Sequence, residues 1–211
     1  MCFKNIIFIS GVDGVGKSSI INHLSSVLHN NKTDHKVIWI RFINYLSKFI
    51  LFLTRFTGHN KKKIIMGNKI GFHYFYTSNI ISFVFLTLQF VDQLIYILIN
   101  FYFLKKRFVI SDRGIPDTVV DWIIDTHKVK LAIIMGTLLV KLLPNAKYIL
   151  LVRDEEEIIK NRPDVLSDEN FYLRVRLYRK ISKIFFNKII FNHSIKRSVK
   201  EIMKDINHEN Y

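Results

Sequence analysis

The chain has 211 residues, enough for one domain with a sizeable core. Its formal net charge of +15 favours anionic partners such as nucleotides, nucleic acid or acidic lipid head groups. Cys2 is the only cysteine, which excludes a disulfide framework within the chain and predicts a reducing, cytoplasmic compartment. No group of Cys and His has metal-ligand spacing, which argues against structural zinc. We expect no signal peptide, because a glycine-rich segment interrupts the first apolar run.

The first predicted elements are a strand, a glycine-rich turn and a helix. Residues 6–9 are apolar and mostly β-branched, which is typical of a buried parallel strand, and residues 19–28 carry apolar side chains at helical spacing. Between them lies a segment that fits G-x-x-x-x-G-K-[ST] in the structural context this motif requires. The segment consists of Gly11, Val12, Asp13, Gly14, Val15, Gly16, Lys17, Ser18 and Ser19.

This segment has the chemistry of a phosphate-binding loop. Glycines let the backbone wrap closely around phosphates, and the loop N–H groups and the helix N-terminus bind phosphate oxygens. Lys17 would reach the β- and γ-phosphates, and the Ser18 hydroxyl would bind Mg²⁺. The flanking strand and helix make a chance glycine-rich turn the weaker explanation. We therefore predict that residues 11–19 bind a nucleoside triphosphate.

A second strand is predicted at residues 35–42, one helix after the first. This βαβ order implies parallel pairing with a right-handed crossover. Arg41 comes at the carboxyl end of the strand, the edge where open α/β sheets bind ligands. The sequence alone leaves two roles open for Arg41: a ligand contact or a solvated side chain.

An apolar region follows. Residues 46–56 are predicted to form a helix. Residues 57–71 are predicted to be a mobile region, with a loop at 57–63 that contains three lysines and a turn-like segment at 67–71. His73, Tyr74 and Tyr76 then supply aromatic faces that suit either base stacking or core packing.

Residues 80–103 are the longest apolar stretch and are long enough to span a membrane. Gln89, Asp92 and Gln93 fall near its middle at helical spacing, so they form one polar stripe on an apolar helix. An ionised acid facing lipid would be costly, which favours a buried helix with its stripe on a cleft. We therefore predict that Asp92 contacts substrate.

The next informative stretch, residues 107–114, is an apolar strand that ends in Asp112 and Arg113. In phosphate-loop enzymes an acid at this position holds Mg²⁺ or its waters. Arg113 places a guanidinium at the same sheet edge, where it suits bidentate phosphate binding. A local ion pair is the alternative, but the position after a buried strand favours the functional role. Pro116 and Asp117 then begin a helix that runs to about residue 125.

The rest of the chain continues the alternation. Helices are predicted at residues 131–143, 168–187 and 194–206, and strands at 146–152 and 188–192. A further helix begins at Asp154, which we expect to form a capping box with Glu157. Five strands alternating with helices predict a three-layer α/β/α domain with a parallel sheet.

With these residues in hand, the chain resembles the thymidylate kinase family of nucleoside monophosphate kinases. Residues 11–19 are similar to that family's phosphate loop, including its internal acid at Asp13, and Asp112 with Arg113 is similar to the start of its Asp-Arg-Tyr signature. Residues 171–178 and 189–192 resemble its helix after the lid and its final strand. The resemblance implies a P-loop NTPase fold with sheet order 2-3-1-4-5. It also implies a single domain over residues 1–211, with a helical acceptor-side region at about 43–104 and a short lid at about 153–170.

The resemblance implies ATP- and Mg²⁺-dependent phosphoryl transfer to a nucleoside monophosphate, most simply dTMP to dTDP. On the donor side, residues 11–19 would bind ATP, with Lys17 catalytic, while Ser18 and Asp112 would hold the metal. On the acceptor side, Asp13 would touch the sugar or the metal shell, and Arg41 and Arg113 would grip the acceptor phosphate.

The loop itself carries no arginine. The cation that stabilises the transition state should therefore come from the lid, with Arg162 the first candidate.

The acceptor side departs from the family pattern. Arg41 is not followed by Glu-Pro-Gly-Gly-Thr, Gly114 replaces the signature Tyr, and Gln93 stands where many members carry Arg. Two alternatives stay open: a P-loop kinase of another phosphorylated metabolite, and a non-catalytic nucleotide-dependent protein that binds a membrane or nucleic acid. For the leading hypothesis no nucleic-acid partner is expected, a homodimer stays open, and peripheral membrane contact is not favoured.

Overall fold

The computed structural model describes residues 6–41, 43–65, 68–102 and 108–207. The predicted strand positions 42 and 107, and the helix position 103, lie outside the described residues. The strands are β1 (Ile6–Ser10), β2 (His35–Trp39), β3 (Asn60–Ile65), β4 (Asn68–His73), β5 (Phe108–Asp112), β6 (Ala146–Val152) and β7 (Lys188–Phe191). The α-helices are α1 (Lys17–Asn30), α2 (Ser47–Phe56), α3 (Asn79–Ile97), α4 (Ile115–Thr126), α5 (Val129–Lys141), α6 (Glu155–Asn161), α7 (Phe171–Phe185) and α8 (Ile195–Asn207).

The chain divides into two compact units. The first unit comprises Met1–Arg41, Lys105–Asp117 and Leu143–Tyr211, and the second comprises Phe42–Leu104 and Thr118–Leu142. The predicted apolar region at residues 43–104 falls in the second unit, together with most of α4 and α5.

The first unit contains a parallel sheet of five strands in the order β2-β5-β1-β6-β7. When only the five strands of this sheet are numbered along the chain, their order is 2-3-1-4-5. The predicted α/β fold is therefore confirmed. Central β1 pairs with β5, where Ile9 lies opposite Asp112, and with β6, where Ile6 lies opposite Ala146. All five residues of β1 are buried, as expected for a strand covered on both faces. Because β1 and β5 end side by side, the glycine-rich loop and Asp112 meet at the same sheet edge.

The second unit contains a hairpin that the sequence analysis did not predict. β3 and β4 pair antiparallel, with Asn60 opposite His73 and Lys62 opposite Gly71. The predictions of a loop at 57–63 and a turn-like segment at 67–71 are therefore wrong for most of those residues. A run of lysines is typical of a loop, but here Lys61 and Lys62 are exposed strand residues. Charged side chains on a solvated strand face do not interrupt the backbone pairing.

Within the second unit, His73 pairs with Asp125 of α4, with 3.0 Å between Nδ1 and Oδ2. The ring also stacks on Phe75. Burial opposes protonation of His73, but the hydrogen bond and charge of Asp125, with the charge of Asp121, outweigh burial and Arg55 and raise its pKa.

One helix in the described part of the chain, Asn79–Phe101, is long and apolar enough to cross a membrane by length and composition. The core helices of soluble proteins meet the same criterion. Gln89, Asp92 and Gln93 are all buried in the structure. The polar stripe is therefore packed against protein, but only 39% of the most apolar 18-residue segment of this helix is buried, so the predicted burial holds for the stripe and not for the whole helix.

The predicted capping box at α6 is wrong. Asp154 occupies the N-cap position, but its side chain makes no capping hydrogen bond. Glu157 instead accepts a 2.7 Å hydrogen bond from Nε of Arg153. A neighbouring cation offers a carboxylate a stronger partner than a backbone N–H, so it draws Glu157 away from the N-cap.

Candidate phosphate-binding site

The glycine-rich loop between β1 and α1 has a backbone that only glycine fits at two positions. Gly11 has φ 144°, and a Cβ there would lie 2.6 Å from the backbone oxygen of Leu151. Gly16 has φ 94°, and a Cβ would lie 2.6 Å from Nδ2 of Asn192. That same amide donates a 2.6 Å hydrogen bond to the carbonyl of Val15. Asn192, just beyond β7, therefore holds the loop in its wrapped conformation.

The lysine of the loop lies folded along it. Lys17 is buried, and its Nζ donates 2.9 Å hydrogen bonds to the carbonyls of Gly11 and Val12. Burial and the nearby guanidinium of Arg113 lower the pKa of Lys17 to about 8, although Asp13 partly opposes them. The ammonium group is thus held against the concave side of the loop by carbonyl oxygens that a phosphate oxygen could replace.

Three cations converge on the carboxylate of Asp13. Arg113 Nη2 makes a short contact to Oδ1, Lys17 Nζ lies 3.6 Å from the same oxygen, and Arg41 Nη1 lies 3.7 Å from Oδ2. Burial would raise the pKa of Asp13, but the three cations together lower it to about 2. About half of the Asp13 side chain is exposed, at 52%, whereas Arg41 and Arg113 expose 15% and 8%. The sequence-predicted Asp13, Lys17, Arg41 and Arg113 are therefore brought together in one cluster.

Arg113 sits in an unusual backbone conformation at the end of β5. Its φ of 73° is in the left-handed region, which costs a non-glycine residue roughly 1–2 kcal/mol. Two hydrogen bonds hold it there: its N–H donates to Ile9 O at 2.9 Å, and Ser111 Oγ donates to its carbonyl at 2.7 Å. The following Gly114 packs on Phe8, where a Cβ would lie 2.7 Å from Cδ1. The close ring of Phe8 therefore leaves no room for a side chain at this position.

A buried carboxylate behind Arg113 was missed by the sequence analysis. Asp117 exposes 1% of its surface, and its Oδ1 accepts from Arg113 Nη1 at 3.3 Å and Tyr178 OH at 2.6 Å. Its Oδ2 accepts a short hydrogen bond from Ser10 Oγ and a 2.9 Å bond from the N–H of Gly114. Four donors thus surround one carboxylate, which matches the acceptor capacity of its ionised form. Asp117 therefore holds both the guanidinium of Arg113 and the backbone beside it.

Two oxygen groups suited to magnesium lie side by side at the sheet edge. Ser18 Oγ is 3.5 Å from Oδ2 of Asp112, and Oδ1 of Asp112 is buried with no hydrogen-bond partner among the described residues. Burial raises the pKa of Asp112, although Lys17 and Arg113 oppose it. A hydroxyl and a carboxylate with one unsatisfied buried oxygen fit a hard cation that keeps several waters. No cluster of three or more His, Cys, Asp or Glu with metal-binding geometry occurs in the described ranges.

Arg162 lies beside the loop with its guanidinium turned to another partner. A Cβ on Gly14 would lie 3.6 Å from the Cβ of Arg162, so the two backbones are close. Nε and Nη2 of Arg162 donate to both oxygens of Asp164, at 2.8 and 2.7 Å, and the side chain is 57% exposed. Its predicted catalytic role would require release from Asp164 and stays a prediction.

Asp92 lies in the second unit and does not line a cleft. It is fully buried, and its carboxylate accepts hydrogen bonds from the backbone N–H groups of Tyr45, Leu46 and Ser47 at 2.7–3.0 Å and from Ser47 Oγ. The prediction that the stripe faces a cleft is therefore wrong for Asp92. Its charge instead neutralises the free N–H groups at the start of α2, a role that sequence spacing within α3 cannot reveal.

The remaining loop residues divide by burial: Val12 and Val15 are buried, and Ser18 and Ser19 are exposed. Asp117, Tyr178 and Asn192 are the functional candidates that the sequence analysis did not single out. One sequence feature indicates Asp117: it is an acid within the apolar run that follows Arg113.

No protein-family model matches the sequence, and no curated protein matches it. Among solved structures, thymidylate kinase from Candida albicans is similar over 98% of this chain and 92% of that chain, at 15% identity and a TM-score of 0.57. A structure of APE1195 covers 97% of this chain and 96% of that chain, at 12% identity and a TM-score of 0.49. At 15% identity the likeness to thymidylate kinase shows the fold alone. The chain therefore shares the α/β fold of that structure, with a five-stranded parallel sheet.

Proposed function

We propose that this protein is a nucleoside monophosphate kinase that transfers the γ-phosphoryl group of ATP to its acceptor, with dTMP the first candidate. The observation that carries the proposal is the convergence of Lys17, Arg41 and Arg113 on the half-exposed carboxylate of Asp13. A protein that only binds a triphosphate needs the loop and its lysine. Two further arginines next to that loop supply a second anion site, which a phosphorylated acceptor requires.

The charge arrangement suits an acceptor that carries phosphate. Three cations converge on the carboxylate of Asp13, which faces water, so an acceptor phosphate that displaced this carboxylate would meet the same three cations. Asp117 balances part of the Arg113 charge, but it contacts the other side of the guanidinium through Nη1. Nη2 of Arg113 contacts Asp13 in this structure, and this nitrogen is the one that could bind an acceptor phosphate instead. Guanidinium groups match phosphate geometry better than ammonium groups do, which supports a phosphorylated acceptor over a simple alcohol.

The proposed reaction assigns each of these residues a task. An oxygen of the acceptor phosphate bonds to the γ-phosphorus, and the bond from that phosphorus to the β–γ bridging oxygen breaks, which releases ADP. Lys17 binds oxygens of the transferring group, and Arg41 with Arg113 orients the acceptor phosphate for in-line attack. Ser18 and Asp112 would hold a magnesium ion, which would supply charge neutralisation at the triphosphate. The single cysteine supports a cytoplasmic location as part of the same proposal.

ADP release tests this function. The full chain is incubated with ATP and Mg²⁺ and a panel of nucleoside monophosphates, dTMP first, and product diphosphates are identified by chromatography. We expect acceptor-dependent ADP release that Arg113→Ala weakens through the acceptor KM, about 10- to 100-fold, because one charge-assisted hydrogen bond is lost. ATP affinity should change little.

Two results would count against the proposal. ADP release that no acceptor stimulates would indicate an ATPase or a nucleotide-dependent binding protein. Stimulation by a phosphorylated metabolite other than a nucleotide would instead support a P-loop kinase with a different acceptor.

A further inference from the structure

Helix α2 of the second unit carries its apolar side chains on the outside. Phe49, Phe52, Leu53 and Phe56 are exposed, with Phe56 at 77% and Phe49 at 68%. Their spacing of i, i+3, i+4 and i+7 places them in one stripe along the helix. This is the reverse of an ordinary surface helix, which turns its apolar stripe inward.

The two fully buried side chains of the same helix are both polar. Ser47 and Thr54 expose 0% and 2% of their surface. Thr54 bonds back to the carbonyls of Ile50 and Leu51 within the helix. Leu51 O also accepts a 3.0 Å hydrogen bond from Nδ2 of Asn60 in β3. The residues that a surface helix normally presents to water are therefore buried here.

A buried carboxylate fixes this orientation. Asp92 of α3 accepts three backbone N–H bonds at the start of α2, together with the hydroxyl of Ser47. Gln89, one turn earlier on α3, donates to Ser47 Oγ at 2.7 Å. Rotating α2 to bury its phenylalanines would pull Ser47 away from Asp92 and leave that buried charge without its donors, which is strongly unfavourable. The exposed stripe is thus held in place by the core of the unit.

Basic residues border the stripe. Lys48 and Arg55 are exposed and lie within one helical turn of Phe52. Across both of its segments, the sequence of the second unit holds nine lysines and arginines and only three acids, one of which is the buried Asp92. A partner for this face must therefore be apolar at its centre and negatively charged around it.

We propose that the outer face of α2, with Lys48 and Arg55, docks on an anionic lipid surface. Phenylalanine and leucine insert at the boundary between head groups and acyl chains, and lysine and arginine bind lipid phosphates. A helix of ten residues, about 15 Å long, lies flat in that boundary and does not cross it. A second copy of the chain is a poorer partner, because facing copies of this face would bring like charges together. The proposal does not depend on the kinase activity.

Sedimentation of the full chain with lipid vesicles tests the proposal. The vesicles contain either phosphatidylcholine alone or phosphatidylcholine with about one-third phosphatidylglycerol. We expect binding to the anionic vesicles, at least tenfold weaker binding to the neutral ones, and release in 0.5 M NaCl, because exposed charges are screened at that ionic strength. The combined variant Phe49→Ser, Phe52→Ser, Phe56→Ser should bind anionic vesicles at least tenfold more weakly.

Phe191→Ser is the matched control, because Phe191 is a similarly exposed phenylalanine on β7 of the first unit. It should keep vesicle binding within about twofold of the parent chain. Thermal melting checks that both variants are folded, which is expected because all four side chains are exposed. Lys48→Ala with Arg55→Ala should selectively weaken binding to anionic vesicles.

Three outcomes would overturn the proposal. Equal binding by the triple variant and the control would remove α2 as the docking face. Failure of the parent chain to bind vesicles, together with a dimer that the triple variant dissociates in light scattering, would assign the face to a second copy. Retention on vesicles in high salt and alkaline carbonate would indicate insertion of Asn79–Phe101 across the bilayer instead.

Discussion

Replacing Asp117 by Asn should remove the buried ion pair between Asp117 and Arg113 and lower the stability of the fold. The side chains are nearly equal in size, so only the hydrogen-bonding character changes. Each carboxylate oxygen now accepts from one donor that can turn and one that cannot. Tyr178 and Ser10 have hydroxyls that can rotate, whereas the guanidinium of Arg113 and the N–H of Gly114 can only donate. An Asn amide in either orientation therefore places its NH₂ group against one donor that cannot adapt.

The expected loss of folding stability in Asp117→Asn follows from the burial of Arg113 and Asp117. Arg113 and Asp117 expose 7% and 1% of their surfaces, so removal of the negative charge is scarcely compensated by water. Breaking a buried pair by changing one partner costs about 3–5 kcal/mol. Arg113 keeps its contact with Asp13, which places the expected loss near the lower figure, about 3 kcal/mol. For a chain of this length that corresponds to a decrease in Tm on the order of 10 °C.

A double-mutant cycle measures whether Asp117 acts through Arg113. The free energy of unfolding in urea is determined for the parent chain, Asp117→Asn, Arg113→Ala and the double variant. We expect Asp117→Asn to cost about 3 kcal/mol in the parent but less than about 1 kcal/mol once Arg113 is absent. Tyr178→Phe, which removes a hydroxyl but leaves both charges, should cost about 1.5 kcal/mol. Equal costs of Asp117→Asn in both backgrounds would refute the coupling.

Three other changes give separable outcomes. Lys17→Ala should lower kcat at least about a hundredfold and leave the circular dichroism spectrum unchanged, with Lys36→Ala, an exposed lysine of β2, as the silent control. Arg162→Ala should lower kcat about a thousandfold with little effect on acceptor KM or stability, and an effect confined to KM would reject its role in the transition state. The pKa of His73 is raised by Asp125, so their pairing stabilises the fold fully below about pH 6.5 and is lost as pH rises through the higher folded value. His73→Gln should remove about 1 kcal/mol of this pH-dependent stability, and an unchanged pH profile of urea unfolding would contradict the assignment.

The parts of the site that the sequence predicted are those built from contiguous residues. Strand, loop and helix follow one another at residues 6–30, and the pattern of glycines and Lys17 fixes their geometry locally. Arg41 and Asp112 could also be placed, because parallel strands bring their carboxyl ends to one sheet edge whatever their exact neighbours are. Sheet order came from the family resemblance, and the periodicity of the chain did not determine it.

The parts that the sequence did not predict depend on partners far apart in the chain. Asp117 meets Tyr178 across 61 positions, and Asn192 meets Val15 across 177. No local pattern encodes such pairs. The hairpin was missed for a different reason, since exposed lysines on a strand and solvated lysines in a loop have the same composition. Helix and strand existence in regular apolar segments was predictable, but the partners of buried polar groups were not.

Asp92 shows how the same residue can support two different functional interpretations. An acid in an apolar helix invites a substrate role, because an isolated buried charge is costly and such residues are often functional. In the structure its charge is offset by the N-terminus of α2, whose N–H groups it accepts at 2.7–3.0 Å. These hydrogen bonds fix which side of α2 faces outward, and Phe49 and Phe56 are exposed as a result. The polar stripe therefore acts on the surface of the protein indirectly, by holding an apolar face in water that the chain would otherwise bury.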